Sequence, residues 1–351
     1  MIPTMLRSCA LLSLALAPML SLALALPAPV TPARRRVSFV NPLEVDGFVD
    51  PAGWGTHRAP AALPLLVFLP GMDGSLSTCL FQFPELGASF DLACLRHADG
   101  MGSRAPFGAL VDDTASFVAD ACAAGRRVVL VGESFGATLA LGVALRLEEA
   151  RTRVAGVVLI NPATSYPRSA LARLGPPLAA LPQPLFLLGL PLLALLVFDL
   201  PTQLPAFISL LRSTRLPALL SSPAREAYLG RVALSAFLGR RGRNLDIGPL
   251  LALEIFAPDD LAFRLSSWLD EGAATGEPRL DKLAAPTLCV VGGRDRLLPS
   301  VDEAGRLGRR LGDLRGTVRV PGAGHGSTLG PALNLSAAIF GAFGEELRDT
   351  V

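Results

Sequence analysis

The chain has 351 residues, 51% of them apolar and only 18% charged, with a mean hydropathy of +0.46. That length suits one large or two ordinary domains, and the composition excludes a disordered chain while pointing to contact with lipid. The formal charge of +2 is unevenly spread: residues 1–40 hold four arginines and no acid, leaving 28 basic against 30 acidic residues elsewhere, so no nucleic-acid partner is expected. Cys9, Cys79, Cys94, Cys122 and Cys289 stand singly, which argues against a disulfide framework and a structural zinc site.

From Cys9 to Leu26 the chain is apolar and uncharged, follows Arg7 and ends in small residues before Pro27, the layout of a secretory signal peptide. The Arg-rich, acid-free PAPVTPARRRVSF behind it reads like a plastid transit peptide. Together they resemble the two-part leader of algae whose plastids lie inside the endomembrane system. Residues 1–40 are therefore expected to be a targeting leader to the chloroplast, the alternative being a signal anchor or the ER and secretory route. Residues 41–60 read as a linker.

Past residue 60, short apolar runs alternate with longer amphipathic ones, the pattern of an α/β fold with a mostly parallel central sheet flanked by helices. Strands are expected at Leu65–Leu69, Asp91–Leu95, Val128–Val131, Val154–Ile160, Thr287–Val291 and Thr317–Val320. Helices are expected at Phe107–Ala124, Phe135–Leu147, Val301–Leu311 and Leu329–Leu347. Residues 61–164 and 280–348 make the core. Residues 165–279 are too long for a loop and are expected to form a Pro-rich, apolar helical cap. Within them no charge falls between Arg173 and Asp199, but the prolines argue against a straight membrane span, and a greasy lid that dips into a membrane surface fits better.

Gly132-Glu133-Ser134-Phe135-Gly136 fits G-x-S-x-G between a predicted strand and a predicted helix. A sharp turn there lifts the Ser134 hydroxyl above the sheet and leaves room only for small neighbours, the setting of a serine nucleophile. Such a serine needs a base. Of the three histidines, His57 precedes the core and His97 follows a strand in a solvent-facing loop. His325, in a Gly-rich loop after the last strand, stands where the base belongs. The base needs a carboxylate, and Asp295 follows the strand Thr287–Val291 at the carboxyl edge of the sheet. Asp270, Asp302 and Glu303 are rivals, the last two reading as a solvated helix face or N-terminal charge. Phe68-Leu-Pro-Gly-Met-Asp-Gly74 ends the first core strand, so the amides of Met72 and Phe135 are the expected oxyanion hole. Glu133 and Asp73 stay open between structural and electrostatic roles. GxGxxG after a strand, a P-loop and HExxH are all missing, and no cofactor or metal is expected.

With Ser134, Asp295 and His325 in that order, residues 60–347 resemble the α/β-hydrolase fold. LPGMDG at 69–74, GESFGA at 132–137, NPAT at 161–164 and VVGGRDRLLPS at 290–300 resemble the hydrolase half of plastid phytyl ester synthases, of the esterase/lipase/thioesterase family. The resemblance implies acyl transfer from galactolipid, acyl-CoA or acyl-carrier protein to phytol or a similar hydrophobic alcohol, at plastid lipid bodies or thylakoids. Plant members carry a further domain with an HxxxxD motif. Here 26 residues follow His325 and no histidine has an aspartate five positions on, so any transfer is expected from the serine triad alone. Plain lipid ester hydrolysis, as by a lipase, thioesterase or dephytylase, is the alternative, and a catalytically silent lipid-binding protein is the alternative of another class.

Overall fold

The computed structural model describes residues 36–42, 63–186, 189 and 257–348, apart from positions 75, 80–81, 100–101 and 330–331. Most of the predicted leader, His57 and residues 190–256 of the predicted cap lie outside them. The described strands are β1 (Val37–Val40), β2 (Leu65–Leu69), β3 (Asp91–His97), β4 (Val128–Glu133), β5 (Gly156–Ile160), β6 (Thr287–Gly292) and β7 (Leu314–Val320). They form one sheet in the order β1-β3-β2-β4-β5-β6-β7, antiparallel only at β1 against β3.

Every residue of β2, β4, β5 and β6 is buried, which is why each reads as an unbroken apolar run. Alternate side chains enter opposite layers. Leu65, Val67 and Leu69 of β2 pack with α2 (Phe107–Ala123) and α3 (Phe135–Glu149), whereas Leu66 and Phe68 pack towards α1 (Phe83–Gly87) and a C-terminal helix, Leu335–Leu347. Each such side chain contributes ~1.5–3 kcal/mol. Edge strand β7 alternates between partly buried and exposed positions.

Between β5 and β6 the described residues are helical: a tight turn at Ala163–Arg168, α4 (Ala170–Ala179), α5 (Pro258–Phe263), a π-helical stretch Arg264–Asp270, and α6 (Glu271–Gly276). α4 carries Pro176 and Pro177 in its last turn. Among the described residues no helix is long and apolar enough to cross a membrane. After β6 come α7 (Ser300–Gly308) and α8 (Leu335–Leu347).

Two expectations change. Val37–Val40, at the end of the predicted leader, pairs with Cys94–His97 as the sheet's edge strand. Val37 is buried and Phe39 stacks on Phe117 of α2 at 3.8 Å, so this Val-Ser-Phe-Val segment has a place to bury its apolar face. The helix expected from Leu329 begins at Leu335. Asn334 caps it by accepting the Ala337 amide at 2.8 Å, and the buried Gln82 side chain binds the carbonyls of Thr328 and Leu333 and the amide of Leu335, holding the preceding residues out of helical form.

The connection after β2 runs to one side, to β3, and that after β4 runs to the other, to β5. The carboxyl ends of β2 and β4 therefore flank a topological switch point, where open α/β sheets bind ligands.

Candidate active site

Ser134 is the single residue between β4 and α3, with φ 56° and ψ −115°. Backbone so placed costs a non-glycine residue ~1–3 kcal/mol and persists because its surroundings hold it. Here the Ser134 amide donates to Ile160 at 2.8 Å, and its carbonyl accepts from Ala137 and Ala163, each at 3.1 Å. Gly136 is required by close approach, since a Cβ there would stand 1.9 Å from the Leu69 carbonyl oxygen.

Asp295 and His325, 30 residues apart, meet at the same edge: His325 Nδ1 lies 2.8 Å from Asp295 Oδ2. Asp295 also accepts the amides of Leu297 and Leu298 and the Ser300 hydroxyl, so its side chain is 1% exposed and fixed in direction. An acceptor-only carboxylate puts the neutral imidazole's proton on Nδ1 and leaves the Nε2 lone pair for a substrate or nucleophile. Burial pulls the His325 pKa down, but the charge and hydrogen bond of Asp295, with Glu133 and Asp73, more than offset it and hold the group above its usual 6.5. Burial pushes Asp295 up, while the His325 charge and the hydrogen bonds from His325 and Ser300 bring it below its ordinary value.

The residue that joins these parts is Asn161, fully buried at the end of β5 with φ 43°. Its Nδ2 donates to the His325 carbonyl and to Ser327 Oγ, and its Oδ1 accepts the Gly292 amide at 2.8 Å. Gly292 must stay glycine, because a Cβ there would reach within 2.0 Å of the Gly324 carbonyl oxygen. The Ser134 amide and the His325 carbonyl thus bind consecutive residues, Ile160 and Asn161. Among the described residues Ser134 Oγ makes no hydrogen bond to His325, a looseness common where substrate is absent. The signals that mark Asn161 are its place directly after a buried strand, in a segment that must leave the sheet edge, and its position at the head of the NPAT motif, neither of which shows that it ties His325 to Gly292.

Met72 sits in the turn after β2 closed by Gly74 N donating to Gly71 O at 2.9 Å. A Cβ on Gly71 would lie 3.8 Å from Ser134 Cβ, so this loop borders the serine. Among the described residues neither the Met72 nor the Phe135 amide is engaged in a backbone hydrogen bond. Glu133 turns its buried carboxyl away from solvent onto the hydroxyls of Thr78 and Thr328; burial pushes it up to about 7.

The rival residues fall elsewhere. Glu303, expected on a solvated face or as N-terminal charge, does stand in the first turn of α7, but it is fully buried and accepts from Thr164, Arg168 and Arg306. Thr164 and Arg168 come from segments 135 and more residues away, which a helical pattern cannot register. Asp270 and Asp302 are exposed. His97, expected in a solvent-facing loop, ends β3 inside the molecule, where burial and the Arg264 charge push it down to about 3. His97 stacks on Trp268 at 4.8 Å instead of entering a carboxylate pair. His57 lies outside the described residues.

Phytyl ester synthase 1, chloroplastic, from Arabidopsis thaliana is 30% identical over 261 residues, 70% of this chain and 32% of that protein. Phytyl ester synthase 2, chloroplastic, from the same plant is 28% identical over 262 residues, 71% of this chain and 33% of that one. The chain spans about a third of the length of these relatives. Among solved structures, MenH from S. aureus matches 89% of this chain and 99% of its own at 15% identity and a TM-score of 0.50, a likeness of fold alone. The alpha/beta hydrolase family matches residues 66–337, a range that runs from β2 into α8 and takes in the switch-point crevice, and the chain belongs to that family.

Proposed function

We propose that the protein is a serine esterase or O-acyltransferase acting on lipid esters or thioesters. The observation that carries this reading is the 2.8 Å contact of His325 with Asp295, held by Asn161 to the strand end that also binds the Ser134 backbone. His325 Nε2 takes the hydroxyl proton as Ser134 Oγ bonds to the acyl carbon, and the Met72 and Phe135 amides receive the charge on the acyl oxygen. The C–O or C–S bond then breaks, and the leaving alcohol or thiol takes the proton from the imidazolium. In the second half an acceptor gives its proton to His325 and its oxygen to the acyl carbon, and the imidazolium returns that proton to Ser134 Oγ as the acyl–Oγ bond breaks. Asp295 keeps the imidazole oriented throughout.

Similarity to two phytyl ester synthases supports phytol or another long apolar alcohol as acceptor and a plastid as location, with galactolipid, acyl-CoA or acyl-carrier protein as donor. Residues 165–279 are proposed to act as a cap. A groove of about 530 Å³ between Ala163–Arg168, α4 and the helices after residue 258 has mainly apolar walls, among them Pro167, Pro176 and Leu265, with Tyr166, Ser266 and Asp270 as its polar lining, and supports a largely apolar ligand on that side. Exposed Leu174 and Leu185 support contact of the cap with a membrane or lipid-droplet surface.

The reading is tested by a fluorophosphonate probe and a lipid inventory. Labelling at Ser134, abolished in Ser134→Ala and in His325→Ala, is expected; equal labelling of these variants would place the nucleophile elsewhere, and an unlabelled wild type would favour a binding protein. Incubation with galactolipid and phytol is expected to give phytyl ester in excess of free fatty acid. Free acid alone would leave a plain hydrolase.

A further inference from the structure

One helical segment beyond β5 reaches both halves of the proposed oxyanion hole. Arg264 opens the π-helical stretch Arg264–Asp270 and is fully buried. Its Nη1 donates to the Met72 carbonyl at 2.7 Å. Four residues on, Trp268 lies under the guanidinium, 4.4 Å from carbon to ring centre, and stacks on Phe135 at 4.7 Å and 15°. The Trp268 indole is itself fixed by its Nε1–H, which donates to the Ala105 carbonyl at 2.8 Å. Positions 264 and 268, four residues apart, lie on one face of the helical segment. His97 stacks on the same indole and borders Gly74, its Cδ2 being 3.2 Å from where a Cβ of Gly74 would stand, so the far end of the Met72 turn is also closed by this cluster.

Arg264 is buried with Asp260 and Asp73 as charged neighbours, and it commits its Nη1 to the Met72 carbonyl. Burial brings Arg264 down to about 10 against the opposing charges of Asp260 and Asp73, and packing alone could be served by an apolar side chain of similar volume. What an arginine adds is direction: a planar donor seated on an aromatic face fixes the Met72 carbonyl, and with it the peptide geometry on either side of Met72. Oxyanion donors need such fixing, because their value lies in being oriented before charge develops.

We infer that Arg264 is the positioning residue of the oxyanion hole, setting the Met72 amide through the Met72 carbonyl, with Trp268 carrying the guanidinium and bracing Phe135. Helices outside the sheet thereby complete the hole, so its transition-state binding depends on their seating. The inference rests on Ser134 being the nucleophile.

Arg264→Lys is compared with wild type using two inhibitors of equal chain length: an alkyl trifluoromethyl ketone, which becomes a tetrahedral oxyanion on serine, and the corresponding alkyl ether, which cannot. We expect at least tenfold weaker ketone inhibition with ether inhibition within twofold, and a kcat at least tenfold lower with KM within twofold on a long-chain p-nitrophenyl ester. Equal weakening of both inhibitors, or of neither, overturns the inference. Should Arg264→Lys not fold, Trp268→Leu takes the same readings, with at least threefold selective loss expected and no selective loss overturning the inference. Wild type that is not labelled at Ser134 by a fluorophosphonate removes the nucleophile assignment and this inference with it. Labelled wild type beside an unaffected Arg264→Lys removes this inference alone.

Discussion

Asn161 holds the Gly292 amide at 2.8 Å, so a side chain at the end of β5 fixes the strand that leads into Asp295, while its other end carries the His325 carbonyl. Asn161→Ala would leave a buried amide and a buried carbonyl without their partner, at ~1–3 kcal/mol for each. We expect a loss of about 3 kcal/mol, read as a Tm lower by roughly 6–10 °C, together with at least a tenfold loss of esterase activity as Asp295 and His325 drift apart. A thermal melt with Tm within about 2 °C of wild type would show that Asn161 is not the joint described here.

The Asp295–His325 pair sets a pH dependence of activity opposed to its contribution to stability. A base must be neutral, and His325 is held above 6.5 by Asp295, Glu133 and Asp73 against the opposing effect of burial, so kcat/KM is expected to rise with a midpoint above 6.5. Stability runs the other way. A raised histidine contributes fully below its unfolded 6.5 and loses that contribution as pH climbs through the folded value. Asp295, lowered from 3.8, contributes fully above 3.8 and loses it as pH falls through its folded value. The pair therefore stabilises most between about 4 and 6.5, on the acid side of the activity rise. In Asp295→Asn, burial of His325 meets less opposition: the residual activity is expected to rise at lower pH than in wild type and to fall by about 10³–10⁴ in kcat. An unchanged midpoint would count against the pair.

What was legible in the sequence follows the range of the forces involved. The β2, β4, β5 and β6 runs are continuous because both faces of a central parallel strand are covered, and the turn around Ser134 is legible because its steric demands are met within five residues. The meeting of Asp295 with His325 could be read because each closes a strand at one sheet edge. Val37–Val40 was obscured because its partner lies in β3, more than 50 residues on, while its own neighbours are arginines. Glu303 and His97 were misread for a related reason. A helical Asp-Glu pair looks solvated until Thr164 and Arg168 arrive, and a histidine after a strand looks exposed until Trp268 covers it.

Glu133→Gln separates the electrostatic role of Glu133 from its shape. The amide can accept from Thr78 and donate to Thr328, so both contacts survive in a neutral group. Wild-type Glu133 ionises at 4.5 unfolded and at about 7 in the fold, so it binds its proton more tightly when folded and costs stability as pH rises from 4.5 to 7. Urea denaturation is expected to give equal stability for variant and wild type at pH 4.5 and a more stable variant at pH 8, by on the order of 2 kcal/mol. Because the Glu133 charge also raises His325, the midpoint of kcat/KM is expected to move to lower pH in the variant. A variant less stable than wild type at pH 8 would mean that the ionised carboxylate is needed by its threonine partners.

Ser134 itself is expected to cost stability. At φ 56° and ψ −115° a side chain crowds its own backbone, and the Ile160, Ala137 and Ala163 hydrogen bonds keep it there. Ser134→Gly removes the Cβ and keeps those backbone bonds. Against this gain stands the extra chain entropy that glycine releases on unfolding, roughly 0.5–1 kcal/mol. The strain relieved is ~1–3 kcal/mol, so the balance favours the variant by about 1 kcal/mol, or roughly 2–4 °C in Tm. The same variant is expected to lose all fluorophosphonate labelling. Ser134→Ala keeps the Cβ and its strain, so it should be equally silent towards the probe yet melt within about 1 °C of wild type. If glycine and alanine gave the same Tm, the strain would not be stored at this residue, and the turn would owe its shape to the sheet edge alone.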